Sequence, residues 1–246
     1  MSTAKVARSR LACNMTNSKT RLQSVMNVIK TAEQQAHRPA NSVSLLAVSK
    51  SWPASRLREL ATAGQKRFGE NYLQEALEKI SALQDLALEW HFIGPVQSNK
   101  TRDIAIHFDW VQSIDRVKIA QRLSAQRSAE LPPLNICLQV NIDREASKAG
   151  VIPDKLFELA EAVSQLEKLC LRGMMVIPAI ADTEAQQLDA FGRAQQLFDQ
   201  LKARYPQVDT LSMGMSADLT SAIAKGSTMV RIGTALFGER HTPTKQ

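Results

Sequence analysis

Aromatic side chains are few: three tryptophans, two tyrosines and seven phenylalanines make up 5% of 246 residues. Single-stranded nucleic acid is held largely by stacking on such rings, and the basic residues here are scattered, so no nucleic-acid partner is expected. Cysteine is also scarce. Cys13, Cys137 and Cys170 form an odd set without C-x-x-C spacing, which argues against a disulfide framework or a zinc site and suits a reducing cytoplasm. No apolar run approaches the ~20 residues needed to cross a bilayer, so no membrane is expected either. G-x-G-x-x-G, Walker and H-E-x-x-H patterns are missing, which leaves nucleotide and metal chemistry without support.

Acidic residues are missing before Glu33, while Lys5, Arg8, Arg10, Lys19, Arg21 and Lys30 fall in that stretch. Such an opening suits an organellar transit peptide or a packed basic helix. Leu22, Val25, Met26 and Ile29 recur at i, i+3, i+4 and i+7, and we read a helix. The net charge of +7 suits a polyanion or small anionic metabolites alike. No Pro/Gly/Ser tract divides the chain. Residues 1–246 read as one domain, with an N-terminal helical segment at 1–40 and a loose tail at 240–246.

What the chain does contain is alternation. Short apolar, strand-like runs fall at 43–48, 67–69, 90–93, 110–114, 136–140, 173–177, 210–213 and 229–237. Segments of helical period separate them, such as Leu57, Leu60 and Ala61 before Gly64, or Leu188, Phe191, Phe198 and Leu201 after Asp182. Near-continuous apolar strands between amphipathic helices predict a parallel sheet covered by helices. Eight repeats favour a closed (β/α)8 TIM barrel over a doubly wound open sheet.

Barrel sites form at the carboxyl ends of strands, so polar residues just beyond each apolar run are the candidates. Lys50 follows Leu45-Leu46-Ala47-Val48-Ser49, where it is either a lysine snorkelling to solvent or a desolvated, nucleophilic amine. Ser212 to Ser216 follow the seventh run, as a helix-capping turn, a phosphate loop, or both. In the eighth, Arg231 lies inside Met229-Val230-Arg231-Ile232, where an unpaired guanidinium is expensive to bury, and Gly233 and Thr234 follow. A carboxylate or a ligand would serve as its partner. Asn71 reads as a ligand or a helix cap, and His91, between Trp90 and Phe92, as a ligand or a satisfied core histidine.

Taken together, Ala47-Val48-Ser49-Lys50, Phe68-Gly69-Glu70-Asn71-Tyr72, Trp90-His91-Phe92-Ile93-Gly94, Gln97-Ser98-Asn99-Lys100, Ser147-Lys148-Ala149-Gly150, Leu211-Ser212-Met213-Gly214-Met215-Ser216 and Val230-Arg231-Ile232-Gly233-Thr234 resemble the pyridoxal phosphate homeostasis protein family, over roughly residues 20 to 238. The resemblance implies a barrel like the N-terminal domain of alanine racemase, with pyridoxal 5′-phosphate (PLP) held as a Schiff base on Lys50. It implies Arg231 at the pyridine nitrogen, Ser212, Ser216, Gly233 and Thr234 at the phosphate, and Asn71 and His91 along the cofactor's other side.

An arginine opposite the pyridine nitrogen donates a hydrogen bond and leaves the ring a poor sink for carbanion electrons. Alanine racemases add a second domain that supplies a tyrosine base, and this sequence ends just after its eighth run. The expected role is therefore a monomeric PLP carrier in the cytoplasm, buffering the cofactor or delivering it to PLP-dependent apo-enzymes. The alternatives are a PLP enzyme such as an amino-acid racemase with Lys50 as base, and a Schiff-base aldolase that uses Lys50 without PLP.

Overall fold

A computed structural model describes residues 3–181 and 183–238, with side chains described from residue 17 onward. The expected loose tail at 240–246 and the side chains of Lys5, Arg8 and Arg10 lie outside the described residues. Eight parallel strands close in sequence order into a barrel. They are β1 (Ser44–Val48), β2 (Arg67–Glu70), β3 (Glu89–Phe92), β4 (Trp110–Ile114), β5 (Leu134–Val140), β6 (Leu169–Val176), β7 (Thr210–Ser212) and β8 (Met229–Ile232). The helices are α1 (Thr3–Gln35), α2 (Ala54–Thr62), α3 (Leu73–Ala82), α4 (Thr101–His107), α5 (Val117–Gln126), α6 (Leu156–Ser164), α7 (Glu184–Arg204), α8 (Leu219–Ala224) and α9 (Thr234–Phe237).

Side chains alternate across each strand and sort into two compartments. Leu45 and Ala47, Phe68, Trp90 and Phe92, Leu138 and Val140, and Val230 and Ile232 join one continuous core with the buried faces of the helices. The opposite face of the strands lines the barrel interior, where Trp110, Cys137 and Met175 form a separate apolar cluster. A Cβ on Gly173 would lie 1.8 Å from the Thr210 carbonyl oxygen, so only glycine lets β6 approach β7 this closely.

The expected N-terminal helix is present as α1, which packs against α2, α8 and α9. Its buried stripe is Leu22, Val25, Ile29 and Ala32, and Met26, expected within it, is 37% exposed. The buried Glu33 carboxylate accepts hydrogen bonds from the N–H groups of Val43 (2.8 Å) and Asn41 (3.2 Å) and fixes the turn into β1. No described helix is long and apolar enough to cross a membrane.

The expected eighth strand at 229–237 is split. Gly233 caps a helical turn over Thr234–Phe237, and β8 ends at Ile232, the last residue in register with β1. Thr234 therefore starts a helix. β5 and β6 begin earlier than their apolar runs, at Leu134 and Leu169, and pair through a register shift at Ile136/Cys137.

Candidate functional site

Alternation along β1 carries Leu46, Val48 and then Lys50 toward the barrel interior, since Leu45 and Ala47 face the helices. Lys50 is half-buried in a tight turn closed by the Trp52 N–H donating to the Ser49 carbonyl. Its amine makes no hydrogen bond or ion pair among the described residues. Leu46, four residues below it, is in register with Arg231 on the adjacent β8.

Arg231 is 5% exposed. Its Nη1 donates to the Ser212 carbonyl (2.7 Å) and to Ser212 Oγ (2.9 Å), and its Nη2 donates to the Val176 carbonyl (2.9 Å). No described carboxylate forms a salt bridge with it. Burial pushes its pKa down to about 10, which still leaves it charged at neutral pH. The guanidinium is thus satisfied by carbonyl dipoles and its charge is not neutralised.

From Ser212 a chain of hydrogen bonds runs down the interior. Ser212 Oγ donates to Gln112 Oε1 (2.7 Å), Gln112 Nε2 donates to His91 Nδ1 (2.8 Å), and His91 Nε2 reaches Glu89 Oε1 (2.7 Å), which also accepts from Arg67 Nε (3.0 Å). His91 is fully buried and stacks on Trp110 at 5.1 Å. With Nδ1 accepting from an amide, the network assigns the proton to Nε2. Burial pushes the imidazole pKa down, against the opposing pull of Glu89. His91 therefore belongs to a satisfied interior network.

Asn71 lies beyond Gly69 on the interior face of β2, where a Cβ on Gly69 would touch Leu46 and Ile93. Its Oδ1 is buried without a partner. It does not cap α3, whose N-cap is Tyr72. A Cβ on Gly94 would lie 2.2 Å from the Asn71 carbonyl oxygen, so Gly94 sets the close seating of this residue. Ser113 Oγ holds Gly94 in turn through its carbonyl (2.5 Å).

Ser216 and Thr234 are exposed at the carboxyl ends of β7 and β8, while Ser212 is fully buried. The backbone N–H groups of Ser216, Ala217, Thr234 and Ala235 have no hydrogen-bond partner among the described residues. Gly214, at φ 95°, bends the first loop and accepts from the Arg231 N–H (3.0 Å). The α8 cap is Asp218, whose carboxylate accepts the Met215 N–H (2.5 Å), so the serines of this loop are not its caps. Two loops with free N–H groups and exposed hydroxyls match what a phosphate dianion needs.

Two sizeable cavities lie at the other end of the barrel. One of about 970 Å³ is lined by Gln65, Arg67, Leu88, Glu89, Trp110 and Asn135, and one of about 340 Å³ by Arg172 and Asp209 among others. Each carries a paired arginine, Arg67 with Glu89 and Arg172 with Asp209. The free amine, the orphaned amide oxygen and the unneutralised guanidinium are all at the carboxyl end, and chemistry outweighs volume in placing the site there. No described cluster of His, Cys, Asp and Glu suits a metal ion.

Sequence reasoning missed Gln112, whose signal is a polar residue at the interior position of a strand that is buried throughout. It also missed Lys79, a buried lysine on α3.

The sequence profile described as alanine racemase, N-terminal domain, matches residues 9–241. A protein of Pseudomonas aeruginosa named pyridoxal phosphate homeostasis protein is 59% identical over 212 residues, covering 86% of this chain and 91% of that one. A Vibrio cholerae protein of the same name is 55% identical over 216 residues, 86% of this chain and 92% of that one. Among solved structures, PipY of Synechococcus elongatus with PLP bound superposes with a TM-score of 0.77 at 38% identity, covering 90% of this chain and 100% of that chain.

Proposed function

Because the chain belongs to the pyridoxal phosphate homeostasis protein family, within the alanine racemase N-terminal domain family, we propose that it binds PLP at the carboxyl end of the barrel and serves intracellular PLP homeostasis. The observation that carries this reading is the unpaired Lys50 amine, carried inward by β1, above the buried Arg231 of the neighbouring strand.

Lys50 would hold PLP covalently at its aldehyde carbon. Arg231, its guanidinium kept fixed by the Ser212 and Val176 carbonyls, would offer an N–H to the pyridine nitrogen. Ser216, Gly233 and Thr234 would hold the phosphate through N–H and hydroxyl groups, with buried Ser212 steadying Arg231 from below. Asn71 offers its unpartnered Oδ1 to the ring side. His91 supports this floor through Gln112. PLP, when bound, supplies an electron-withdrawing pyridine ring.

A donor at the ring nitrogen keeps that nitrogen unprotonated, which favours holding PLP over turning an amino acid over. PLP-dependent apo-enzymes are the recipients in this reading. Tyr72, Ile177, Ile180 and Met215, all exposed and all following strand ends, give the mouth an apolar rim for such a partner. The protein acts as a monomer and as one cofactor-binding domain in the cytoplasm, where unpaired Cys137 and Cys170 are at home.

The test is the visible spectrum of purified protein beside Lys50→Ala, followed by borohydride reduction and peptide mapping. A yellow protein whose reduced adduct maps to Lys50, with no adduct in the variant, is the expected result. Protein that takes up no added PLP overturns the reading, and Lys50-dependent hydrogen exchange at an amino acid's α-carbon overturns the carrier assignment.

A further inference from the structure

Lys50 is the one residue of its turn left unheld. Its neighbours are tied on both sides to a cluster of three charged side chains. Ser49 Oγ donates to Glu70 Oε1 (2.5 Å), and Lys79 Nζ donates to both the Ser49 carbonyl and Glu70 Oε1, each at 2.8 Å. On the other side, the Ser51 N–H donates to Glu75 Oε1 (2.5 Å), and Glu75 also receives Lys79. Ser51 sits at φ 66°, a left-handed conformation that is strained for a non-glycine residue and is held here by its bond to Glu75.

The burial of this cluster is uneven. Glu70 is fully buried and Lys79 is 4% exposed, whereas the Glu75 side chain is 31% exposed. A buried ion pair adds little net stability against apolar residues of the same size. These groups instead direct their bonds at the two peptide groups beside the reactive lysine, and Lys79 is the member that joins all the others. Already bonded to a carbonyl and two carboxylates, its ammonium is a donor and not a nucleophile.

We propose that Lys79 is a positioning residue: with Glu70 and Glu75 it clamps the backbone on both sides of Lys50, so that the Lys50 amine meets the cofactor aldehyde in a productive direction. This rests on the reading that Lys50 carries PLP. Shape recognition of the cofactor, by Arg231 and the phosphate loops, does not pass through the clamp. The two contributions therefore separate with two ligands, PLP and pyridoxine 5′-phosphate, which has an alcohol where PLP has the aldehyde.

The experiment measures the affinity of full-length wild type, Lys79→Met and Glu75→Ala for both ligands. Glu75→Ala is included because it leaves the buried Glu70–Lys79 pair intact should Lys79→Met fail to fold. The expected result is that PLP binding weakens about tenfold (~1.4 kcal/mol) in the variants, while affinity for pyridoxine 5′-phosphate stays within about twofold of wild type. Equal loss for both ligands, or no loss for either, overturns the proposal. Wild type that binds neither ligand overturns the cofactor reading itself, a distinct outcome that removes the proposal with it.

Discussion

Replacing Gln112 with methionine tests the interior network directly. Gln112 is fully buried, and methionine has nearly its shape and volume, so the cavity term is small. What changes is polar. His91 Nδ1 loses its donor and the Ser212 hydroxyl loses its acceptor, both at fully buried residues. An orphaned buried polar group costs about 1–3 kcal/mol, so two cost about 3 kcal/mol on a conservative sum. For a chain of this size that lowers Tm by about 6–12 °C. Arg231 keeps its bonds to the Ser212 and Val176 carbonyls, so affinity for PLP should fall by less than about tenfold. Equilibrium urea unfolding of the apo-protein, with a PLP titration beside it, measures both. A stability loss below about 1 kcal/mol would refute the claim that Gln112 satisfies this buried interior network.

The pH dependence of stability should show His91. Burial lowers its folded pKa, so below the unfolded value of about 6.5 the unfolded state takes up a proton that the folded state refuses. Stability is then lost as pH falls from about 6.5 toward the folded pKa, by up to about 1.4 kcal/mol per pH unit. His91→Gln should flatten that slope in urea titrations between about pH 7 and pH 5.5. Because burial raises the Glu70 pKa and gives it the opposite slope, the informative quantity is the difference from wild type; an unchanged slope counts against the buried neutral imidazole. Gly94→Ala puts a Cβ 2.2 Å from the Asn71 carbonyl oxygen, and the backbone must move. We expect at least about 2 kcal/mol of destabilisation and weaker binding of pyridoxine 5′-phosphate; a neutral result in both would mean that Asn71 is not seated by this glycine.

The barrel was legible because its strands are buried on both faces and read as apolar runs, as at 43–48. Lys50 was legible for the same reason, since alternation from Leu46 through Val48 carries on to it. The run at 229–237 shows where the signal fails. Leu236 and Phe237 are as buried as Val230, and a short apolar run does not reveal whether helix or strand buries it; Gly233 was the only punctuation. Met26 fits the helical period of α1 yet faces outward, because the seam that meets the barrel is narrower than the apolar stripe. Gln112 and Lys79 were invisible for a different reason. A buried polar residue is recognised by its partners, and these come from other elements: His91 and Ser212 to Gln112, and Glu70 and Ser49 to Lys79.

Arg231 links the carrier reading to the interior network. A guanidinium has five N–H groups, and three of them are used, two on Nη1 and one on Nη2. The Nε–H and the second N–H of Nη2 have no acceptor among the described residues. Had a carboxylate neutralised this arginine, an incoming pyridine nitrogen would have had to compete with it. Carbonyl dipoles impose no such competition and also resist any shift of the guanidinium toward a neutral form. The group can therefore donate to a ring nitrogen but cannot protonate it, since even with its pKa lowered to about 10 it holds its proton far more tightly than a pyridine would. A site built this way would stabilise a bound PLP without making it a strong electron sink, and the proposed Lys50 linkage would remain reversible by water. Reversible, specific retention is the property that a homeostatic PLP reservoir requires.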